Sequence, residues 1–135
     1  MSTGMNVSDA ANTALIAVEK GQSSYAVFLL DEGQNDLALD VVSERSATYA
    51  DFLAALPSAE PRFALYHYQL PESARSALVR FVWLPLEAGV VDRANYDLVK
   101  DDFAPALSGT VVTVQGVNLE EMSEDVVRQK LGPTG

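Results

Sequence analysis

The chain has 135 residues, of which 48% are hydrophobic and 21% are charged, so it can bury the core of one domain. Nineteen acidic residues against nine basic ones give a net charge of −10, which disfavours binding to the phosphate backbone of a nucleic acid or to an anionic membrane surface. The absence of cysteine excludes disulfides and a thiolate metal site, and the lone His67 is too few for a multi-histidine metal site.

The first third of the chain predicts one helix and a hairpin of two strands. Residues 9–20 have helical periodicity, with Ser8 placed to cap the start and Gly21 placed just past the end. The apolar runs 24–30 and 37–42 are separated by a cluster of turn-forming residues, which indicates a hairpin.

The middle of the chain predicts a short capped helix followed by two more strands. Thr48 with Asp51 three residues later is typical of a capping box, and Pro57 marks the end of this helix. Strands are expected at 62–70 and 77–84, where side chains alternate between two faces.

The last third predicts a long helix over 90–107, a strand over 110–114, and a final helix over 124–131 capped by Ser123. Pro105 would loosen the last turn of the long helix. The apolar residues that recur at spacings of three and four in this helix are Val91, Ala94, Leu98, Val99, Phe103, Ala106 and Leu107.

This order of elements predicts an α/β fold of the α+β type, with a single mixed five-stranded sheet sandwiched between helices. One domain would span residues 1–131, and residues 132–135 would form a frayed tail. No apolar run approaches the ~20 residues of a membrane span, and the first residues do not resemble a signal peptide. We therefore expect a cytoplasmic protein.

No sequence motif specifies catalysis, since phosphate-binding loops, hydrolase elbows and zinc-protease motifs are all absent. His67 lies mid-strand on the same side as Phe63 and Leu65, which indicates a packed structural histidine. A small hydrolase that uses His67 with a carboxylate is a remaining alternative. Trp83 alternates with Phe81 and is expected in the core. The residues favour a binding module, without catalysis, metal or cofactor, over an enzyme.

Six short motifs in register resemble the ADF/cofilin family over about residues 1–131. The motifs are Met1–Asp9, Tyr49–Pro57 with Arg62–Tyr66, Arg75–Ser76 with Val82–Pro85, Tyr96 with Lys100–Asp101 and Leu107–Gly109, Val114–Gly116, and Val126–Val127. The resemblance implies the ADF-homology fold and a monomeric, cytoskeleton-associated protein that binds monomeric actin and filaments and promotes filament disassembly. It implies neither catalysis nor a cofactor.

By position, the resemblance also implies two actin-binding surfaces. The monomer-binding surface would combine the N-terminus, the long helix and the region before the last helix, and its residues would be Thr3, Gly4, Met5, Val91, Arg93, Ala94 and Lys100. The filament-binding surface would combine the turn before the fourth strand with the C-terminal helix, and its residues would be Arg75, Ala77, Arg80 and Lys130. Ser2 and Thr3 are candidates for regulatory phosphorylation, whose added charge of about −1.5 to −2 would oppose docking. Tyr96 would be structural.

Several positions depart from the family's pattern. Where relatives carry charged residues or a methionine, this chain has Val91, Ala94, Ala77 and the pair Ala104-Pro105. Residues 91–102 contain four acidic and two basic residues, whereas relatives are basic there. Each lost charge-assisted contact would cost on the order of 1–3 kcal/mol where it is buried. We expect weaker actin binding, or a divergent actin as partner, with weak severing and weak or no binding to phosphoinositides.

Two other interpretations stay open. The run Pro61-Arg62-Phe63 before an aromatic strand is similar to the glia maturation factor branch, which acts on the complex that nucleates branched filaments. The Ser-Thr-Gly-Met start and the run Trp83-Leu84-Pro85 favour cofilin instead. The depleted long helix also fits a scaffold that keeps the fold without binding actin, because fold alone does not specify function.

Overall fold

The computed structural model describes residues 6–31, 36–69, 76–103, 107 and 111–131. The predicted tail at 132–135 lies outside these residues. The elements are β1 (Asn6–Val7), α1 (Asp9–Glu19), β2 (Tyr25–Leu30), β3 (Asp36–Val42), α2 (Tyr49–Ala54), β4 (Arg62–Gln69), β5 (Ser76–Trp83), α3 (Val90–Val99), a 3₁₀ turn (Lys100–Asp102), β6 (Val111–Gly116) and α4 (Glu124–Leu131).

All the strands of the described residues lie in one mixed sheet, in the order β1-β3-β2-β4-β5-β6. The central pairs are antiparallel, while β1 with β3 and β5 with β6 are parallel. The predicted fold class is confirmed, but the sheet has six strands rather than five. The additional strand is β1, in which Asn6 pairs with Asp36 and Val7 with Leu37. Two residues are too few to show an alternating pattern in the sequence.

Helices cover both faces of the sheet, as predicted. On one face, α1 and α3 pack on a cluster that includes Phe28, Phe63 and Leu78. On the other face, α2 and α4 pack on a cluster rich in aromatic side chains, in which the rings of Phe52 and Phe81 lie 4.6 Å apart. The alternation within β5 explains how one strand serves both clusters, since its odd and even residues point to opposite faces.

Two of the predicted helix caps are present, at Ser8 and at Thr48. Ser8 Oγ accepts from the backbone N–H of Ala11 at 3.1 Å and starts α1. Thr48 and Asp51 form the predicted capping box at α2, with side chain to backbone bonds of 3.2 and 3.0 Å. These bonds satisfy amide groups that have no partner inside the helix, so local chemistry fixes where both helices begin.

The two side chains singled out as structural are confirmed as such. His67 Nδ1 lies 2.9 Å from the carbonyl oxygen of Val18 at the end of α1. Trp83 is buried, and its indole N–H donates to the carbonyl of Pro57 at 2.6 Å. In the described part of the chain, no group of three or more histidine, cysteine, aspartate or glutamate residues could hold a metal ion. Nor is any described helix long and apolar enough to cross a bilayer.

Candidate functional site: the exposed face of α3

Helix α3 is attached to the sheet by one buried ridge. Tyr96 is buried and its ring lies 5.1 Å from that of Phe63, which in turn stacks on Phe103 at 5.0 Å. The hydroxyl of Tyr96 accepts from the backbone N–H of Leu30 at 2.8 Å. Tyr96 is therefore structural, as expected, and it fixes which face of α3 points away from the sheet.

The opposite face of α3 carries a row of exposed aliphatic side chains. Val90, Val91 and Leu98 are 79, 72 and 81% exposed, and Ala94 is exposed between them. We call these four residues the α3 stripe. They lie at spacings of one, three and four residues, which places them along one side of a helix.

The sequence prediction of α3 needs two corrections. It treated Val91, Ala94 and Leu98 as continuing the same apolar face as Val99 and Phe103, but these three are exposed while Phe103 is buried. It also extended the helix to residue 107, whereas the α-helix ends at Val99 and one 3₁₀ turn follows. Both rows have helical spacing, and the contacts of Tyr96 with Phe63 and with the Leu30 N–H select the row that faces the sheet.

The two basic residues predicted on α3 have different environments. The Nε of Arg93 is buried and has no hydrogen-bond partner, and no ion pair of its guanidinium occurs among the described residues. Lys100 Nζ instead donates to Asp97 Oδ1 at 2.9 Å and to Gln115 Oε1 at 3.0 Å. The bond from Lys100 holds the pKa of Asp97 below its ordinary value. Lys100 thus links the end of α3 to β6, while the charge of Arg93 has no ion-pair partner among the described residues.

Two further exposed residues, which the sequence analysis missed, border a cavity next to α3. Leu86 lies in the loop before α3 and is 65% exposed. Leu119 lies in the loop before α4 and is 50% exposed. They line a cavity of about 330 Å³ with Trp83 at its wall. Their only signal in the sequence is that they are large apolar residues outside any periodic element.

The predicted filament-side residues are mostly engaged in the fold. Ala77 is 2% exposed, so its side chain faces the core and does not form part of a surface, contrary to its predicted role. Arg80 donates to Thr113 Oγ1 at 2.9 and 3.1 Å and to the carbonyl of Phe103 at 3.0 Å. Lys130 is exposed on the last turn of α4. Arg75 lies outside the described residues.

A profile described as cofilin/tropomyosin-type actin-binding protein matches residues 4–132. The chain belongs to this family. Actin-depolymerizing factor 6 of Arabidopsis thaliana is 26% identical over 95% of this chain and 90% of that protein. Actophorin of Acanthamoeba castellanii is 28% identical over 95% of each chain. The crystal structure of Streptomyces griseoflavus cofilin superposes with a TM-score of 0.82 at 28% identity, covering 96% of this chain and 98% of that one.

Membership of the ADF/cofilin family, which is non-enzymatic, agrees with the absence of a catalytic motif. The structure brings Val91, Ala94 and Arg93 together on α3, with Lys100 at its end. The remaining predicted monomer-side residues, Thr3, Gly4 and Met5, and the phosphorylation candidates Ser2 and Thr3, lie outside the described residues.

Proposed function

We propose that this protein binds actin monomers and filaments and promotes filament disassembly, with weak severing, as a cytoskeleton-associated monomer. The α3 stripe is the observation that most strongly supports this proposal. Single exposed apolar side chains are ordinary on a protein surface, but a contiguous row on one helix face is typical of a docking surface. An amphipathic helix that presents such a row binds by laying it into an apolar groove of the partner.

The unpaired charge beside the stripe supports the same surface. Arg93 precedes Ala94 on α3, and its buried Nε has no partner within the described residues. The Arg93 side chain as a whole is partly exposed, and its guanidinium makes no ion pair among the described residues, so it can form a charge-assisted hydrogen bond to a partner. Arg93 is thus the residue on α3 best suited to a polar contact with actin.

The surroundings of the stripe support weak activity. Asp92, Asp101 and Asp102 are exposed on the same region and give it an acidic character. On the filament side, Ala77 is buried and Arg80 is held by Thr113 and Phe103, so neither has a free group to offer. Fewer available contacts predict lower filament affinity and less severing than in basic relatives.

High-speed co-sedimentation tests the proposal, with filaments of the source organism's own actin and, in parallel, of muscle actin. We expect the protein in the pellet or extra actin in the supernatant. Absence of both effects at tens of micromolar would reject filament binding and monomer binding. Debranching without co-sedimentation would instead favour the glia maturation factor interpretation, and no actin effect at all would favour a scaffold.

Arg93→Ala locates the binding surface. This substitution should weaken both the pelleting with filaments and the release of actin into the supernatant by about tenfold or more. That loss is equivalent to the ~1.5–3 kcal/mol of a charge-assisted hydrogen bond. Arg45→Ala is a matched control, because Arg45 is an exposed arginine on the loop between β3 and α2, away from α3. Equal loss in both variants would show that general charge, and not this surface, governs binding.

Imaging of single filaments should show fewer severing events than with actophorin at equal filament occupancy.

A further inference from the structure

A polar cavity of about 510 Å³ lies at the end of the sheet, where β4 runs past the start of β2. The loop between α1 and β2, the loop after β3 and the first residue of α4 wall it. We call this cavity the β4 notch. No residue of α3 lines it, so it is separate from the proposed actin surface. The residues that matter here are Lys20, Ser23, Arg45, Tyr66, His67 and Glu124.

Two hydroxyl groups that line the β4 notch have no hydrogen-bond partner among the described residues. Tyr66 and Ser23 are only 7 and 8% exposed, yet neither hydroxyl is bonded to protein. The neighbouring tyrosines differ, since Tyr49 donates to the carbonyl of Met122 and Tyr68 donates to Glu124 at 2.8 Å. Both hydroxyls open onto the cavity, since Arg93 Nε is the one fully buried side-chain polar atom without a partner among the described residues, so both are free to bond a polar group there.

The Tyr66 hydroxyl is a hydrogen-bond donor at neutral pH. A phenol is protonated there at its ordinary pKa of 10.0, and burial, with a further contribution from the Glu124 carboxylate, raises the pKa of Tyr66 to about 12. The phenol can therefore donate to an anionic oxygen.

Two basic side chains without an ion pair among the described residues, those of Lys20 and Arg45, line the same notch. Neither Lys20 Nζ nor the Arg45 guanidinium has an ion pair or hydrogen bond within the described ranges. His67 uses Nδ1 on Val18 and leaves Nε2 unbonded at the cavity wall. The one acid that lines the notch, Glu124, is occupied by Tyr68 and by Arg128 at 3.6 Å. On a chain of net charge −10, this is a concave site of the opposite sign.

We propose that the β4 notch binds a small soluble phosphate monoester of a polyol. Two cations and two hydroxyl donors are more than a carboxylate needs, and they match the charge and the acceptor oxygens of a phosphate. The phosphate lies between Lys20 and Arg45 and accepts from Ser23 and Tyr66. The cavity falls within the roughly 300–1,000 Å³ of small-molecule sites, which leaves room for the polyol.

Titration of the ¹⁵N-labelled full-length chain with glucose 6-phosphate, followed by amide chemical shifts, tests this proposal without any mutation. We expect saturable shifts at Gly21, Ser23, Ser24 and His67, and none on α3. Inorganic phosphate should bind more weakly and glucose not at all. Equal, non-saturating shifts with inorganic phosphate and sulfate would overturn the proposal, as would binding only to vesicles of anionic lipid.

Variants then separate the site from general charge. Tyr66→Phe removes only the unbonded hydroxyl. It should weaken the binding of glucose 6-phosphate about tenfold, because one hydrogen bond to a charged group is lost. The double variant Lys20→Gln/Arg45→Gln should abolish measurable binding. The controls Tyr25→Phe, from the same aromatic cluster, and Arg93→Gln should bind as the parent chain does. Unchanged affinity in Tyr66→Phe, or equal loss in the controls, would reject the site. Because Lys20 and Tyr66 line the β4 notch while Arg93 lies on α3, actin binding and phosphate binding should fail independently.

Discussion

The phenol of Tyr66 couples the stability of the fold to pH. Its pKa is raised from 10.0 to about 12, because burial disfavours the charged phenolate. Between these values the folded chain holds a proton that the unfolded chain has released, so the free energy of unfolding falls as the pH rises through this window. Below pH 10 both states are protonated and the full contribution is present.

Urea unfolding at about pH 8 and about pH 11 measures this coupling. Tyr66→Phe should reduce the loss of stability between the two pH values. It will not abolish the loss, because burial raises the pKa of Tyr49 as well. Val127→Ala, which trims a buried side chain without removing a titrating group, should lower stability equally at both. An identical alkaline loss in Tyr66→Phe and the parent chain would contradict the prediction.

Trp83 illustrates a second effect of a single side chain, since its indole joins β5 to the loop after α2. Trp83→Phe removes the bond to the Pro57 carbonyl and part of the packed volume. We expect a loss of about 2–4 kcal/mol in the free energy of unfolding, measured with urea. Leu86→Ala, at an exposed side chain of the same cavity, should change stability by less than about 0.5 kcal/mol. Similar effects in the two variants would show that the bond contributes little.

At the scale of the element, the two faces of α3 should separate stability from binding. Leu98→Ser alters a side chain in solvent, so stability should stay within about 0.5 kcal/mol while actin co-sedimentation weakens severalfold. Tyr96→Phe leaves the Leu30 N–H without its acceptor and should cost about 1–3 kcal/mol, with actin binding per folded molecule unchanged. Loss of binding in Tyr96→Phe, or loss of stability in Leu98→Ser, would contradict this division.

The same helix shows where prediction from sequence succeeds and where it stops. The capping box at Thr48 and the alternation in β5 are local chemistry, so the pattern identified them correctly. Helix α3 offers two apolar rows at helical spacing, one with Leu98 and one with Tyr96. Only contact with Phe63 and Leu30, which are distant in sequence, decides which row is buried.

The candidate sites were predictable to a smaller extent. The family resemblance proposed Arg93 and Lys100 by position, but it could not show that Lys100 donates a hydrogen bond to Gln115. The unmatched hydroxyls of Ser23 and Tyr66 could not be found from sequence at all, because a missing partner is a property of the folded neighbourhood.

For the whole molecule, net charge predicts how the protein meets a membrane. With a charge of −10 and an acidic α3 surface, the chain should show little binding to vesicles that contain phosphoinositide at physiological ionic strength. Sedimentation with such vesicles measures this, and strong binding that weakens with added salt would refute it.

A gain of function by charge reversal tests whether the α3 surface is the cause. Asp101 and Asp102 are exposed and, unlike Asp97, make no ion pair among the described residues. Asp101→Lys/Asp102→Lys reverses the net sign of residues 91–102 and should increase vesicle binding, since each basic residue near an anionic surface contributes about 1 kcal/mol. The matched change Glu44→Lys/Glu60→Lys adds the same charge to loops elsewhere and should have a smaller effect. If both double variants bind equally, overall charge governs the interaction; if only the first binds, the acidic residues after α3 are what keep this protein from the membrane.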